Sequence, residues 1–355
     1  MIVNNTQVSR SVVRADLAAE IVSLQNTGFG NVAMAPPWTS PKLNGHYRAL
    51  GGDGLVDPTS DDYKTVAFGT EPAPTSMRYG RHQYNIFVRR HSHLVIDPVL
   101  EHDLEADGLS IPDDYLRRHL AIAMVVHAHE LASRFASTGA DRAFDAEHTL
   151  PSVDLRDPTE SLLAVCEDVF ERFLKDGAFG IAGAELVIGM SWEVATVIKN
   201  NLDVRETTQG IADSTDGPLV PGVVTLPVLE AFFQQQIGSP YPVRLVVDHQ
   251  YTQAGNPIFS PDLYFMIQMP GGKGSFVSTP VLDYAPLAGL DPGSEEFDEF
   301  RAAGSPLAMV REYRTPQLDA RAMFIEQVFG LDFYGSTDPD VRRALGVRVP
   351  AVLSS

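Results

Sequence analysis

The sequence has one cysteine, Cys166, so no disulfide can form within the chain. That excludes the small disulfide-stapled scaffolds and fits a reducing compartment. Missing too is any apolar run near the roughly 20 residues that span a bilayer. The opening stretch MIVNNTQVSRSVVRADLAAE holds no apolar block of signal-peptide length. A soluble chain, with no membrane partner, is expected. Positive charge is scarce: 27 Lys and Arg against 46 Asp and Glu leave a net −19. Such an excess repels phosphate and anionic lipid at long range, which disfavours nucleic-acid binding except by a local basic patch.

Catalytic and cofactor signatures are absent as well. DGAFGIAGAEL spaces Gly177, Gly180 and Gly183 as G-x-x-G-x-x-G, after a helix and before a strand, the reverse of a dinucleotide fingerprint. A helix stop and connector explains it better. PGGKGS around Lys273 lacks the phosphate-loop pattern and reads as a tight turn. VIGMSWE has Glu193 where a nucleophile elbow needs glycine, so Ser191 reads as a helix cap. His127 and His129 stand two apart on a helix, where metal binding favours four, and no cysteine pair supports a site. No catalytic residue, cofactor or metal is assigned.

What is present is enough for a large core. Across 355 residues, 44% are hydrophobic and 21% charged, the balance of a folded chain. Residues 1–62 read as an arm: RADLAAEIVSLQ is amphipathic, and the Gly-, Pro- and Ser-rich piece after it has no period. A tail of that length without a core of its own is disordered or pinned to other chains. Residues 63–97 read as an extended loop, with Tyr84, Ile86, Val88, Leu94 and Ile96 on one parity. A helix is predicted over 113–137, its apolar stripe formed by Leu116, Leu120, Ala123, Met124, Ala128, Leu131 and Phe135. Asp113 and Asp114 suit its N-terminus, and Glu130 can pair with Arg134. A second helix is predicted over 158–176, with Asp157 as N-cap, Pro158 first and Glu160 completing a capping box. SWEVATVIKNN and LPVLEAFFQQQIG read as capped helices, and DLYFMIQM, KGSFVSTPV, LAMVREYR and DARAMFIEQVFGLDFY as strands. No internal repeat is visible. The class is α+β.

One passage departs from the acidic whole. SMRYGRHQYNIFVRRHSHLVI, residues 76–96, carries Arg78, Arg81, Arg89, Arg90 and three histidines, and no acid. It could grip single-stranded nucleic acid through Tyr79, Tyr84 and Phe87. It could pack over its own domain, since an isolated ribbon is marginal in water. Or it could cross a second copy of the chain and meet acids there. The favoured reading is the last: residues 97–114 hold seven acids and no Lys or Arg, and residues 291–299 hold five. The candidate inter-subunit contacts are the four arginines against Asp97, Glu101, Asp103, Glu105, Glu295 and Glu296, fixing orientation more than affinity. The acids near 97–107 also leave open a hydrolase acting through paired carboxylates.

The order of these parts resembles the major capsid protein of tailed double-stranded DNA bacteriophages, whose fold is shared with encapsulin shells. KTVAFGTEPAPTSMRYGRHQYNIFVRRHSHLVI resembles part of the family's extended loop. AELVIGMSWEVATVIKNNLDVRETTQG and LPVLEAFFQQQIGSPYPVRLVVDHQYT resemble the apical passages, and LAMVREYRTPQLDARAMFIEQVFGLDFY the closing strands. The resemblance implies an N-terminal arm over 1–62, an extended loop over 63–97, and a peripheral domain over 98–179 with its spine helix. It further implies an apical domain over 180–285 and a return to the peripheral domain over 286–355. It implies a non-enzymatic shell subunit found in the virion and assembled in the host cytoplasm. The partners it implies are copies of the chain itself in pentamers and hexamers, portal and decoration proteins, and DNA enclosed without sequence-specific binding. No coiled segment precedes the arm, so a separate scaffolding protein, or none, is expected. Because the chain begins at Met1, proteolytic maturation is not expected either. The ribbon 76–96 has no lysine, which argues against a lysine–asparagine cross-link. An encapsulin-like cargo shell is the alternative within the fold.

Overall fold

The computed structural model describes residues 12–13, 30–50, 79–90, 94–96, 111–137, 142–157, 160–176, 183–212, 224–252, 254–284, 307–315, 320–334 and 345–353. It also describes isolated positions between 99 and 107 and between 291 and 298. Along the chain these form β1 (Val12–Val13), α1 (Gly30–Met34), β2 (Pro37–Ser40), β3 (Asn44–Leu50), β4 (Tyr79–Asn85), β5 (Phe87–Arg90) and β6 (Leu94–Ile96). Then come α2 (Ile111–Ala136), β7 (Val153–Asp154), α3 (Leu162–Lys175), β8 (Glu185–Ser191), α4 (Trp192–Asn200), α5 (Leu202–Ala212) and α6 (Leu226–Ile237). Strands close the chain: β9 (Val243–Asp248), β10 (Asp262–Gln268), β11 (Val277–Leu282), β12 (Ala308–Thr315), β13 (Ala320–Phe329), β14 (Asp332–Phe333) and β15 (Gly346–Val352). The class is α+β, as the pattern of apolar residues predicts.

Two sheets organise the core. In the first, the order is β7-β15-β10-β8-β9, with β10 antiparallel to both neighbours and β8 parallel to β9. Every residue of β10 is buried, so both faces of this central strand are covered. Helix α3 turns Leu162, Val165, Cys166, Val169 and Phe173 inward. Burying each large apolar side chain contributes roughly 1.5–3 kcal/mol as an upper estimate. Helix α6 presents Leu229, Phe232, Phe233 and Ile237 and stops at Gly238, whose φ of 61° suits a residue without Cβ. In the second sheet the order is β1-β12-β13-β11-β14. Strand β2 pairs parallel to β11, and β5 and β6 both pair with β13.

Helix α2 begins two residues before the predicted start, and its buried face carries Ala123, Met124, Ala128, Leu131 and Phe135 as expected. Leu116, Leu120, Asp113 and Asp114 fall outside the residues whose side chains are described. Glu130 meets Arg89 from β5, where the sequence suggests Arg134. Helix α3 starts later than predicted. Its N-cap is Ser161, whose Oγ accepts from Ala164 N at 3.4 Å, in place of Asp157 with Pro158 and Glu160. Asp203 on α5 explains the delay: its carboxylate accepts from Ser161 Oγ at 2.9 Å and from Leu163 N at 3.3 Å. A long-range acid thus completes the cap that local spacing had assigned elsewhere.

The arm needs a larger correction. Residues 1–62 read as a tail without a core, yet Asn31, Val32, Met34, Ala35 and Tyr47 are buried in the chain's own core. Ribbon residues too are built onto their own chain. Strand β4 forms a seven-residue antiparallel ladder with β3, and β5 and β6 lie along β13. The parity expected for the ribbon breaks at Ile86, where the chain leaves the two-stranded ladder for the large sheet. Tyr84 and Ile86 are buried, but Val88 is 47% exposed. Residues 14–29 and 51–78 lie outside the described residues.

Candidate functional site

Where the arm enters the globule, α1 is held from every side. A helix end leaves carbonyls without intrahelical partners, and three strands supply them here. Arg244 on β9 donates to Ala33 O at 3.4 Å, Gln268 on β10 to Met34 O at 2.7 Å, and Thr279 on β11 to Ala35 O at 2.9 Å. Strands β9 and β10 belong to one sheet and β11 to the other, so α1 ties the two sheets together. Asn31 adds the long helix, its Nδ2 meeting His127 Nδ1 at 2.5 Å. His127 Nε2 lies 2.9 Å from Thr279 Oγ1. Burial, helped by the nearby Arg89, pushes this imidazole down to about 3, so it stays neutral. Gly272, in the turn after β10, has φ +80°, and a Cβ there would press on Pro36 O at 2.7 Å. The PGGKGS stretch is thus a turn, as read, and it lies against the arm.

Next to this joint an aromatic box holds the base of the β3–β4 ladder. Trp38, Tyr47, Tyr84, His82 and Tyr334 contact one another, with Trp38 and Tyr84 edge to face at 4.9 Å. Asp332 accepts from Tyr47 at 2.9 Å and lies 2.6 Å from His82 Nε2. Burial and that carboxylate raise the Tyr47 phenol well above its ordinary range. Lys273 Nζ lies 5.4 Å from the Trp38 ring and 5.1 Å from the Tyr47 ring, a cation over two aromatic faces.

Two of the four ribbon arginines, Arg89 and Arg90, meet acids on their own chain. Arg89 pairs with Glu130 on α2 at 2.5 Å and lies over the Phe329 ring at 4.7 Å. Arg90 reaches Glu326 on β13 at 2.9 Å. Glu326 is 4% exposed and also takes Arg311 from β12 at 2.9 Å, so one buried carboxylate holds three strands. The partners predicted for Arg89 and Arg90 were acids of residues 97–114 and 291–299 on another copy. Glu130 and Glu326 were missed because neither stands in an acidic run; only their places on the long helix and the last long strand could have marked them. Arg81 lies in β4, opposite Arg48. Asp103 and Glu295 are exposed. Arg78, Asp97, Glu101, Glu105 and Glu296 lie outside the described residues.

Two other clusters are structural. Asp145, Glu147 and His148 stand close enough to hold an ion. Yet His148 spends Nδ1 on Asp145 at 2.9 Å and Nε2 on Asp176 at 2.7 Å, so neither ring nitrogen is left to ligate. The Cys166 thiol is fully buried, and burial pushes it up to about 12, far from the range of a nucleophile.

The surface beside the ribbon has a different character. Phe87 is 57% exposed, Val88 47%, and Ile122 and Val125 on α2 42% and 38%. Arg89, bridging β5 to α2, brings the two elements side by side. Among the described residues β5 pairs with a strand on one edge, that of β13.

A ribbon on a sheet edge, a long helix buried along one face and two sheets joined by an N-terminal pin define an α+β fold known from solved structures. A phage-related protein from Bordetella bronchiseptica is similar over 96% of this chain and 97% of that one, with a TM-score of 0.59 at 13% identity. The mature capsid of bacteriophage PhiM1 matches over 90% of this chain and 85% of that one, with a TM-score of 0.48 and 10% identity. An encapsulin from Synechococcus elongatus matches over the same two shares, with a TM-score of 0.47 and 7% identity. The first of these carries the assignment: this chain has the fold of that phage-related protein. No protein-family model and no curated protein matches the sequence.

Proposed function

We propose that this chain is a structural subunit, a major capsid protein, that assembles with many copies of itself into the closed icosahedral shell of a tailed phage. The observation that carries this reading is the end-to-end correspondence of fold with the phage-related protein, at a TM-score of 0.59. The surface supports it. An exposed apolar edge strand beside an exposed apolar helix face is the kind of feature that a soluble monomer avoids and a neighbour covers. The net charge of −19 suits a container whose lining must not adsorb the DNA it encloses. Copies meet in pentamers and hexamers, with a portal, a separate scaffolding protein and decoration proteins as further partners. The subunit has no catalytic role, and its place is the virion, after assembly in the host cytoplasm.

Neighbour contact then falls on Phe87, Val88, Ile122 and Val125 and on the rest of segments 1–62 and 63–97. Arg89 and Arg90 serve first to hold the ribbon to its own globule. The test is direct. The purified chain, alone and with its scaffolding partner, is expected to give closed particles of uniform diameter by electron microscopy and a matching fast sedimenting species. A small oligomer at every concentration and with every partner, showing hydrolase activity, would overturn the reading.

A further inference from the structure

The joint at α1 contains two buried titratable groups that the shell reading does not use, and Asn31 and Gln250 link them. Asn31 Nδ2 faces His127 Nδ1, and Asn31 Oδ1 accepts from Gln250 Nε2 at 3.2 Å. The backbone N–H of Gln250 donates to Asp248 Oδ2, at the end of β9, at 3.1 Å. We propose that the α1 joint is compensated against pH: charging Asp248 loosens it as pH rises, charging His127 loosens it as pH falls, and the two effects offset.

The hydrogen bonds as oriented suit a neutral imidazole. Asn31 donates to Nδ1, Nε2–H donates to Thr279 Oγ1, and the Thr279 hydroxyl donates to Ala35 O. In this orientation a proton on Nδ1 sets two donors face to face, and the relay must rearrange: Asn31 turns over to accept it, and with it Gln250, whose Oε1 has no partner among the described residues. The ring also meets Phe329 of β13 at 5.1 Å, and the charged group acting on it is Arg89 of β5, itself paired with Glu130 of α2. Asp248 has the opposite need. It is 3% exposed, its Oδ1 has no hydrogen-bond partner among the described residues, and no charged side chain there acts on it.

The signs follow from linkage. Burial raises the Asp248 carboxyl from 3.8 to about 6, so its contribution is full below 3.8 and is lost as pH rises through 6. His127 is lowered from 6.5 to about 3, so its contribution is full above 6.5 and is lost as pH falls through 3. The two windows overlap with opposite slopes.

Hydrogen exchange of residues 30–40 in the full chain, corrected for intrinsic rates, tests this between pH 4.5 and 7, with strand β10 as reference. Protection in the wild type is expected to change less than about five-fold. In Asp248→Asn it should fall on the order of fifty-fold on acidification, and in His127→Gln about twenty-fold on raising the pH. A steep wild-type profile, variant slopes of the same sign, or equal changes in β10 would overturn the proposal. Asp248→Asn, which removes an acid from a site that disfavours its charge, carries the test if His127→Gln does not fold.

Discussion

At the scale of single residues, Glu326 does the most for the ribbon. It is a buried carboxylate between Arg90 and Arg311, with a guanidinium on each oxygen. Removing it leaves Arg311, 16% exposed, without that counter-charge, whereas Arg90 at 54% can turn to water. Breaking a buried pair costs up to 5 kcal/mol, and the exposed partner lowers this, so Glu326→Ala should cost about 2–4 kcal/mol. Urea denaturation is the measurement: the midpoint should fall with an unchanged slope. A loss below about 0.5 kcal/mol would mean that the strands hold without the clamp.

Among elements, the ribbon's attachment depends on close backbone approach as well as charge. Gly330 follows β13, and a Cβ there would run into the carbonyl oxygen of Asn85, where β4 ends. A backbone atom cannot rotate aside, so Gly330→Ala should displace the ribbon at about 1–3 kcal/mol. Limited proteolysis should then cut near residues 85–90 at least several-fold faster. The elements differ in how readily the sequence discloses them. Helices α2, α4 and α6 and the closing strands could be read because their signals are local: a stripe of period 3.6, the Ser191 cap, Gly238 after α6. The buried end of the arm could not. It is short, rich in Gly and Pro, and satisfied by Arg244, Gln268 and Thr279, more than two hundred residues away. The candidate site was legible in part. Basic residues 76–96 stand out in the sequence, but spacing says that Arg89 and Arg90 need acids without saying which, or that those acids lie on the same chain.

For the whole molecule, those pairs change how the proposed assembly is best probed. Reversing charge at Arg89 and Arg90 would disturb docking inside one chain, so failed assembly in that variant would be ambiguous. Phe87 and Val88 face outward and serve better. Phe87→Asp with Val88→Asp is expected to leave the melting temperature within a few degrees of wild type, as surface changes do. Particle yield by electron microscopy should fall at least ten-fold, because a charged edge resists coverage by a neighbour. Normal particles from a folded double variant would place the contact elsewhere.

The joint at α1 also sets a timetable for synthesis. Residues 33–35 leave the ribosome early, yet the side chains that hold them follow 211, 234 and 244 positions later. At roughly 5–20 residues per second, the nascent chain carries that segment unsatisfied for about ten to fifty seconds. Docking of this segment therefore waits until those strands have emerged, and helpers that shield emerging polypeptides can act in the interval.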